Sequence, residues 1–289
     1  MISARRSRIL LSFGTTLATC SALVPQASTV HAVDAELFRL PGRESAQPLA
    51  ARLQTHDQTE LLIALDELNA NADSDRNSRA VSDLLRAGQP DVVTDHALDA
   101  LARMKSREAR SVLAVFCRHR RPDARARAYT ALANLRDSRD IPIITEGLRD
   151  SAAPVRAQVA VLLGQLQAVT AVPDLLRALE LGVHPAAAAI GKLGDVASVA
   201  LYSKQLGRLP LPVMLDGYGQ YLERADIPES VKLEIIAGLE QVSGATVKAF
   251  LNARVQTPAK NTTPKLQQAM LTSAGRIRVD APAPEGVQP

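Results

Sequence analysis

Apolar residues along this chain recur every three or four positions rather than every two. Leu61, Leu62, Leu65 and Leu68 show the spacing, as do Val81, Leu84 and Leu85, then Leu98, Leu101 and Met104, and later Val159, Leu162, Leu163 and Leu166. Such spacing lays an apolar stripe along one side of a helix. No stretch alternates as a half-buried strand would, so the chain reads as all-α. Breaks between helices fall at Gly88 to Pro90, Pro122, Asp150 to Pro154, Gly182 to Pro185, Pro210 to Pro212, Pro228, Gly244 and Pro258 to Pro264. Glycine and proline there end one helix or open the next.

The stripes themselves repeat. ALDALARM at 97–104 returns as AYTALANL at 128–135 and VAVLLGQL at 159–166, each 31 residues after the last, and AAAAIGKL at 186–193 follows after a step of 27. The ladder Met104, Leu135, Leu166, Leu193 runs through all four, with the small residues Ala102, Ala133, Gly164 and Gly191 two places before. Other ladders, Leu113, Ile144, Leu175, Tyr202 and Cys117, Leu148, Leu179, Leu206, belong to a first helix in each unit, with Pro142 and Pro173 near its start, where a missing amide donor costs nothing. A unit of this length cannot bury its apolar face alone, so its neighbours must complete the core. The predicted fold is an α-solenoid of stacked antiparallel helix pairs over residues 46–280, clearest over 91–209, with a first helix such as 140–149 and a second such as 155–167. Helices at about 211–223, 229–242, 245–255 and 263–278 keep a helical period and lose the register, as terminal capping repeats do.

Asp150, Ser151, Ala152, Ala153, Pro154, Val155 and Arg156, followed by Ala157 and the Leu-Gly of 163–164, resemble the turn and second helix of a HEAT repeat. The short units and the Leu-Gly-Asp at 193–195 are most similar to the bacterial HEAT-like repeats also found in phycobilin lyases. Asp150 is His119 one unit earlier and Arg156 is Val183 one unit later, so one unit carries the full pattern. The resemblance implies that Asp150, Arg156 and Arg125 bond between neighbouring repeats, a structural role. It also implies a concave side lined by second helices. The rows left over from the core there are His96, Arg127, Gln158; Asp99, Thr130, Val161; and Arg103, Asn134, Gln165, Lys192. They read either as contacts for a protein or peptide partner or as plain solvated helix faces.

Charge and composition narrow the picture. The chain has 34 basic and 30 acidic residues, but the first 32 residues hold three arginines and no acid, so the rest nets only +1. Nucleic-acid binding rests on many cations acting together, and no global excess is present to supply them. A local cluster, Arg118, His119, Arg120, Arg121, Arg125 and Arg127, crowds one turn. It reads as a solvated turn packed against neighbouring helices, or as a site for an acidic partner. Aromatic residues make up 3% of the chain, too few for the stacking platforms expected of a sugar or lipid site.

Residues 1–32 resemble a cleavable export signal: Arg5, Arg6 and Arg8, then a mostly apolar Ile9 to Val24, then Val30, His31, Ala32. Export to a periplasm or beyond, with no stable membrane span after cleavage, is the expectation; a lipid anchor on Cys20 is a second reading. A flexible lead at 33–45 and a disordered tail at 281–289 would flank the solenoid. After cleavage Cys117 is the sole cysteine, and its ladder position marks it as a buried apolar residue rather than a nucleophile. The histidines show no metal spacing, Gly217 to Tyr221 lacks the residues of a phosphate loop, and no Gly-x-Ser-x-Gly elbow occurs. No catalytic residue, cofactor or metal is therefore expected. The sequence points to an exported, non-enzymatic bacterial scaffold holding a protein partner on its concave face; the alternative is a HEAT-like lyase or nucleic-acid-acting enzyme, or an enzyme subunit, with a large ligand in the curve.

Overall fold

The computed structural model describes residues 49–70 and 75–278. All of these residues lie within one unit, Gln47–Pro289. The expected export signal, the expected lead at 33–45, Cys20 and the expected tail at 281–289 fall outside the described residues.

Every regular element among the described residues is helical. In chain order these are α1 (Leu49–Arg52), α2 (Gln58–Ala70), α3 (Asp75–Arg86), α4 (Asp91–Met104), α5 (Arg110–Phe116), α6 (Pro122–Asn134), α7 (Ile141–Glu146) and α8 (Ala153–Gln165). They continue as α9 (Val172–Glu180), α10 (Ala186–Leu193), α11 (Val196–Ser203), α12 (Leu211–Glu223), α13 (Glu229–Val242), α14 (Ala245–Gln256) and α15 (Pro264–Arg276). No helix among them is long and apolar enough to cross a membrane. Short 3₁₀ turns at 107–109, 138–140, 147–149 and 169–171 complete the first helices. Proline stands in the first turn of α6, α7, α8, α9, α12 and α15, where its fixed φ suits helix entry.

Helices α2, α4, α6, α8, α10 and α12 lie side by side in one row, and each of α4, α6, α8 and α10 is backed by the first helix of its own pair. The fold is an α-solenoid of helix pairs. One apolar core runs through it from Leu53 to Ile277. Leu113, Ile144, Leu175 and Tyr202 are wholly buried, and Cys117, Leu148 and Leu179 nearly so, as the ladders require.

Close approach within the second-helix row depends on missing side chains. A Cβ on Gly164 would stand 3.2 Å from the Cβ of Ala189, and one on Gly191 would stand 2.7 Å from the Cβ of Gln220 and meet the carbonyl of Gly217. Glycine thus sets the α8–α10 and α10–α12 distances, and a larger residue would wedge the pairs apart.

The link from each second helix to the next unit has a fixed geometry. Lys105, Arg136 and Gln167 all adopt a left-handed backbone, with φ of 52°, 52° and 55°. They stand 31 residues apart, so the same strained turn recurs at three successive joints although none is glycine. The fourth joint, after the shortened unit, falls on Gly194, whose φ of −67° is extended instead. Past α12 the regular pairing gives way, and α15 packs against both α13 and α14.

Candidate functional site

The second-helix row presents a polar face on which side chains of one helix reach the next. His96 Nδ1 lies 2.9 Å from Asp66 Oδ1 on the preceding second helix. Arg127 forms an ion pair with Asp99, and Arg121 Nη2 donates to Asp95 Oδ2 at 2.8 Å. Asn134 Nδ2 donates to the carbonyl of Ala102 at 3.0 Å, and Gln158 Nε2 reaches Thr130 Oγ1 at 3.5 Å. Six of the ten residues singled out as partner contacts, His96, Asp99, Arg127, Thr130, Asn134 and Gln158, are thus engaged in stitching neighbouring helices together. Arg103, Val161, Gln165 and Lys192 stand exposed.

The basic turn before α6 resolves into separate jobs. Arg125 Nε and Nη2 each donate to one oxygen of Asp150 at 2.6 Å, and its Nη1 donates to the carbonyls of His119 and Arg120 at 2.8 and 3.1 Å. One guanidinium therefore closes its own turn and grips the next unit's. Arg156 repeats half of this device, since its Nη1 donates to the carbonyls of Asp150 and Ser151 at 2.7 and 3.0 Å. Arg121 bridges back to Asp91 and Asp95 near the start of α4, and Arg118 meets Glu146 at 3.1 Å in an exposed pair. Arg120 is exposed. Asp66, Asp91 and Asp95, which complete these contacts, carry no repeat signal and were not picked out by the ladder.

Chemistry is scarce in what is described. Among the described residues no group of three or more His, Cys, Asp or Glu could hold a metal ion. Burial pushes the Cys117 thiol up to about 12, so almost none of it is thiolate near neutral pH. Alkylation by iodoacetamide under native conditions is accordingly expected to leave Cys117 unmodified, and denaturant to expose it; peptide mapping reads it separately from Cys20. Native labelling at Cys117 within minutes would mean the interior is open there. Gly217 to Tyr221 lies inside α12, with Tyr218 and Tyr221 buried.

Residues 78–164 match the family model for HEAT repeats. The chain is 33% identical over 138 residues to a deoxyhypusine hydroxylase of Aspergillus oryzae, covering 43% of this chain and 41% of that protein. It is 32% identical over 123 residues to the deoxyhypusine hydroxylase of Aspergillus clavatus, covering 38% and 37%. The chain thus matches about two fifths of the length of these curated relatives. Among solved structures, the complex of CpcE and CpcF of phycocyanin lyase from Nostoc sp. PCC7120 aligns with a TM-score of 0.44 at 16% identity, over 83% of this chain and 98% of that one. A designed armadillo repeat protein aligns with a TM-score of 0.36 at 15% identity, over 80% and 98%.

These relatives correct the functional expectation. The non-enzymatic scaffold is overturned by curated relatives that are enzymes, and the expectation that the chain is not an enzyme falls with it. The reason lies in what a repeat ladder reports: it encodes packing, and packing is common to solenoids that catalyse and those that do not. Residues 78–164 are thus similar to HEAT repeats, and they lie within a stack of helix pairs.

Proposed function

We propose that the chain is a HEAT-like enzyme, or the substrate-holding subunit of one, that takes a large ligand against the exposed face of its second helices. The observation that carries this is the 33% identity over 138 residues to an enzyme, a deoxyhypusine hydroxylase. The face itself supports it. The Asp66–His96, Asp95–Arg121 and Asp99–Arg127 contacts join units along this row, and farther along it Val161, Gln165 and Lys192 are exposed on α8 and α10.

Carbon hydroxylation is redox chemistry run through a bound metal or organic cofactor. The described residues offer no cluster of metal donors, and Cys117 is inert, so they do not fit a metal-dependent hydroxylase centre and no hydroxylation step is assigned to them. Holding and orienting the substrate is what their geometry supports.

The test compares covalent modification of cellular macromolecules, by mass spectrometry, in cells with and without the chain. Loss of at least one modification is expected in its absence. Restoring the chain should recover it, and restoring a Val161→Asp, Lys192→Glu variant should recover about tenfold less if the second-helix face holds the substrate. Identical modification patterns with and without the chain would sink the enzymatic reading.

A further inference from the structure

The first-helix side of the solenoid carries an opening of about 730 Å³ between the end of α3 and α5. Leu85 and Val112, both buried, form its floor, and Val115 and Phe116 rise from α5 beside them. The repeat register makes this last pair unusual. Thirty-one residues on stand Glu146 and Gly147, and 31 beyond those stand Arg177 and Ala178. Where later units place a charge and a small residue, this unit places two apolar side chains. Val115 is 68% exposed, and the Phe116 ring is fixed by stacking on His119 at 5.3 Å with an interplanar angle of 15°. A lone exposed aliphatic is ordinary, but an exposed valine beside a held aromatic over an open apolar floor forms a patch with a shape.

The rim has one sign. Arg86, Arg118 and Arg120 are exposed around the opening, and no acidic side chain lines it. Arg86 meets Asp83 at 2.6 Å and Arg118 meets Glu146 at 3.1 Å, both at exposed positions outside the groove. Exposed pairs of this kind hold weakly, so their guanidinium groups can turn to an incoming carboxylate. The three arginines come from different places, one from the end of α3 and two from the turn after α5, and so flank the floor rather than converging on a single point.

We propose that this groove docks an acidic peptide segment of a partner protein, with an apolar side chain seated on Leu85, Val112 and Val115 and flanking carboxylates on Arg86, Arg118 and Arg120. Charge complementarity selects the occupant: separated guanidiniums ask for several carboxylates spaced along a chain, whereas a fatty acid brings one. The groove lies on the first-helix side, apart from the second-helix face, and stands whether or not the enzymatic reading does.

The test uses the full chain and a short fluorescein-labelled peptide whose central leucine–phenylalanine pair is flanked by glutamates, read by fluorescence anisotropy. Saturable binding that weakens with added salt is expected. Val115→Asp should weaken it at least about tenfold, as should Arg118→Ser with Arg120→Ser. Lys204→Glu, at the same repeat position as Val115 in a later unit, should leave it unchanged. Val115 is exposed, so circular dichroism should show its variant folded; if it unfolds, the arginine pair decides. The proposal is overturned if the peptide fails to bind, if both variants bind as the parent does, if a glutamine-for-glutamate peptide binds equally well, or if dodecanoate displaces the peptide at equal concentration.

Discussion

Tyr202→Ala is expected to lower stability by about 3–5 kcal/mol, the range for truncating a large buried aromatic ring. Tyr202 is wholly buried at the end of α11. Its ring meets Tyr218 edge-on, with centroids 5.2 Å apart and planes at 88°, and Tyr221 at 6.0 Å and 62°. Its hydroxyl donates toward the carbonyls of Val213 and Met214 at 3.1 and 3.0 Å in the first turn of α12. Gly217, one turn on in α12, lies against the same end of the ring, where a Cβ would stand 2.5 Å from Tyr202 Cζ and 2.8 Å from the carbonyl of Ala187. One side chain therefore spaces α11 and α12 while glycine lets α10 approach, and an alanine would leave a cavity none of the three helices can fill alone. Tyr202→Phe keeps the ring and loses the hydroxyl, so a cost of about 0.5–1.5 kcal/mol is expected. Urea titration followed by circular dichroism measures both. Because each solenoid unit touches only its neighbours, amide exchange should speed up in α11 and α12 well before α4 and α6. A cost for Tyr202→Ala below about 1 kcal/mol would show that the junction repacks freely.

That junction marks how far the sequence could be read. The ladder of Leu113, Ile144, Leu175 and Tyr202 is buried as spacing alone implies, because offsets of 31, 31 and 27 residues between like positions need no knowledge of neighbours. The late helices α12 and α13 begin and end where proline, glycine and apolar period place them. The recurring left-handed turn was not legible, since Lys105, Arg136 and Gln167 are residues that rarely adopt it and only the stacked units hold them there. The contacts made within the exposed rows were not legible for a related reason. Which side chain on α4 faces which on α6 depends on the axial offset between the two helices, which the pattern along either one does not carry. His96, Asp99 and Arg127 are polar and surface-directed, and the structure spends them on each other's helices. Activity leaves still less trace: nothing in the ladder distinguishes an enzyme's repeats from any others, and the similarity to curated enzymes spans about two fifths of their length.

Arg125→Ala is expected to cost about 3–5 kcal/mol, because it strands a buried carboxylate rather than merely deleting a contact. The side chains of Arg125 and Asp150 are 11% and 6% exposed, so the pair is beyond the regime in which surface ion pairs count for little. Asp150 Oδ1 also accepts the amide of Ala152 at 2.8 Å, which caps the turn entering α8. Burial alone would raise the Asp150 carboxyl, but the hydrogen bonds from Arg125 and from the Ala152 amide outweigh it and hold the group below the ordinary carboxylate range. The sign of the pH dependence follows. Stability from this group is fully present above the unfolded-state value of about 3.9 and is lost as pH falls through the lower folded value. A neutral, matched pair such as Arg125→Met with Asp150→Leu should cost less than either single truncation, since no charge is then left buried without a partner. Denaturant midpoints for the two alanine variants and the double variant, taken at pH 7 and again near pH 3, separate the possibilities. Asp150→Ala should flatten the acid limb of the parent's pH profile, while salt should change the pair's coupling little because the site is shielded. If Arg125→Ala costs no more than an exposed arginine such as Arg120→Ala, the grip between the two units is not what holds their turns in register.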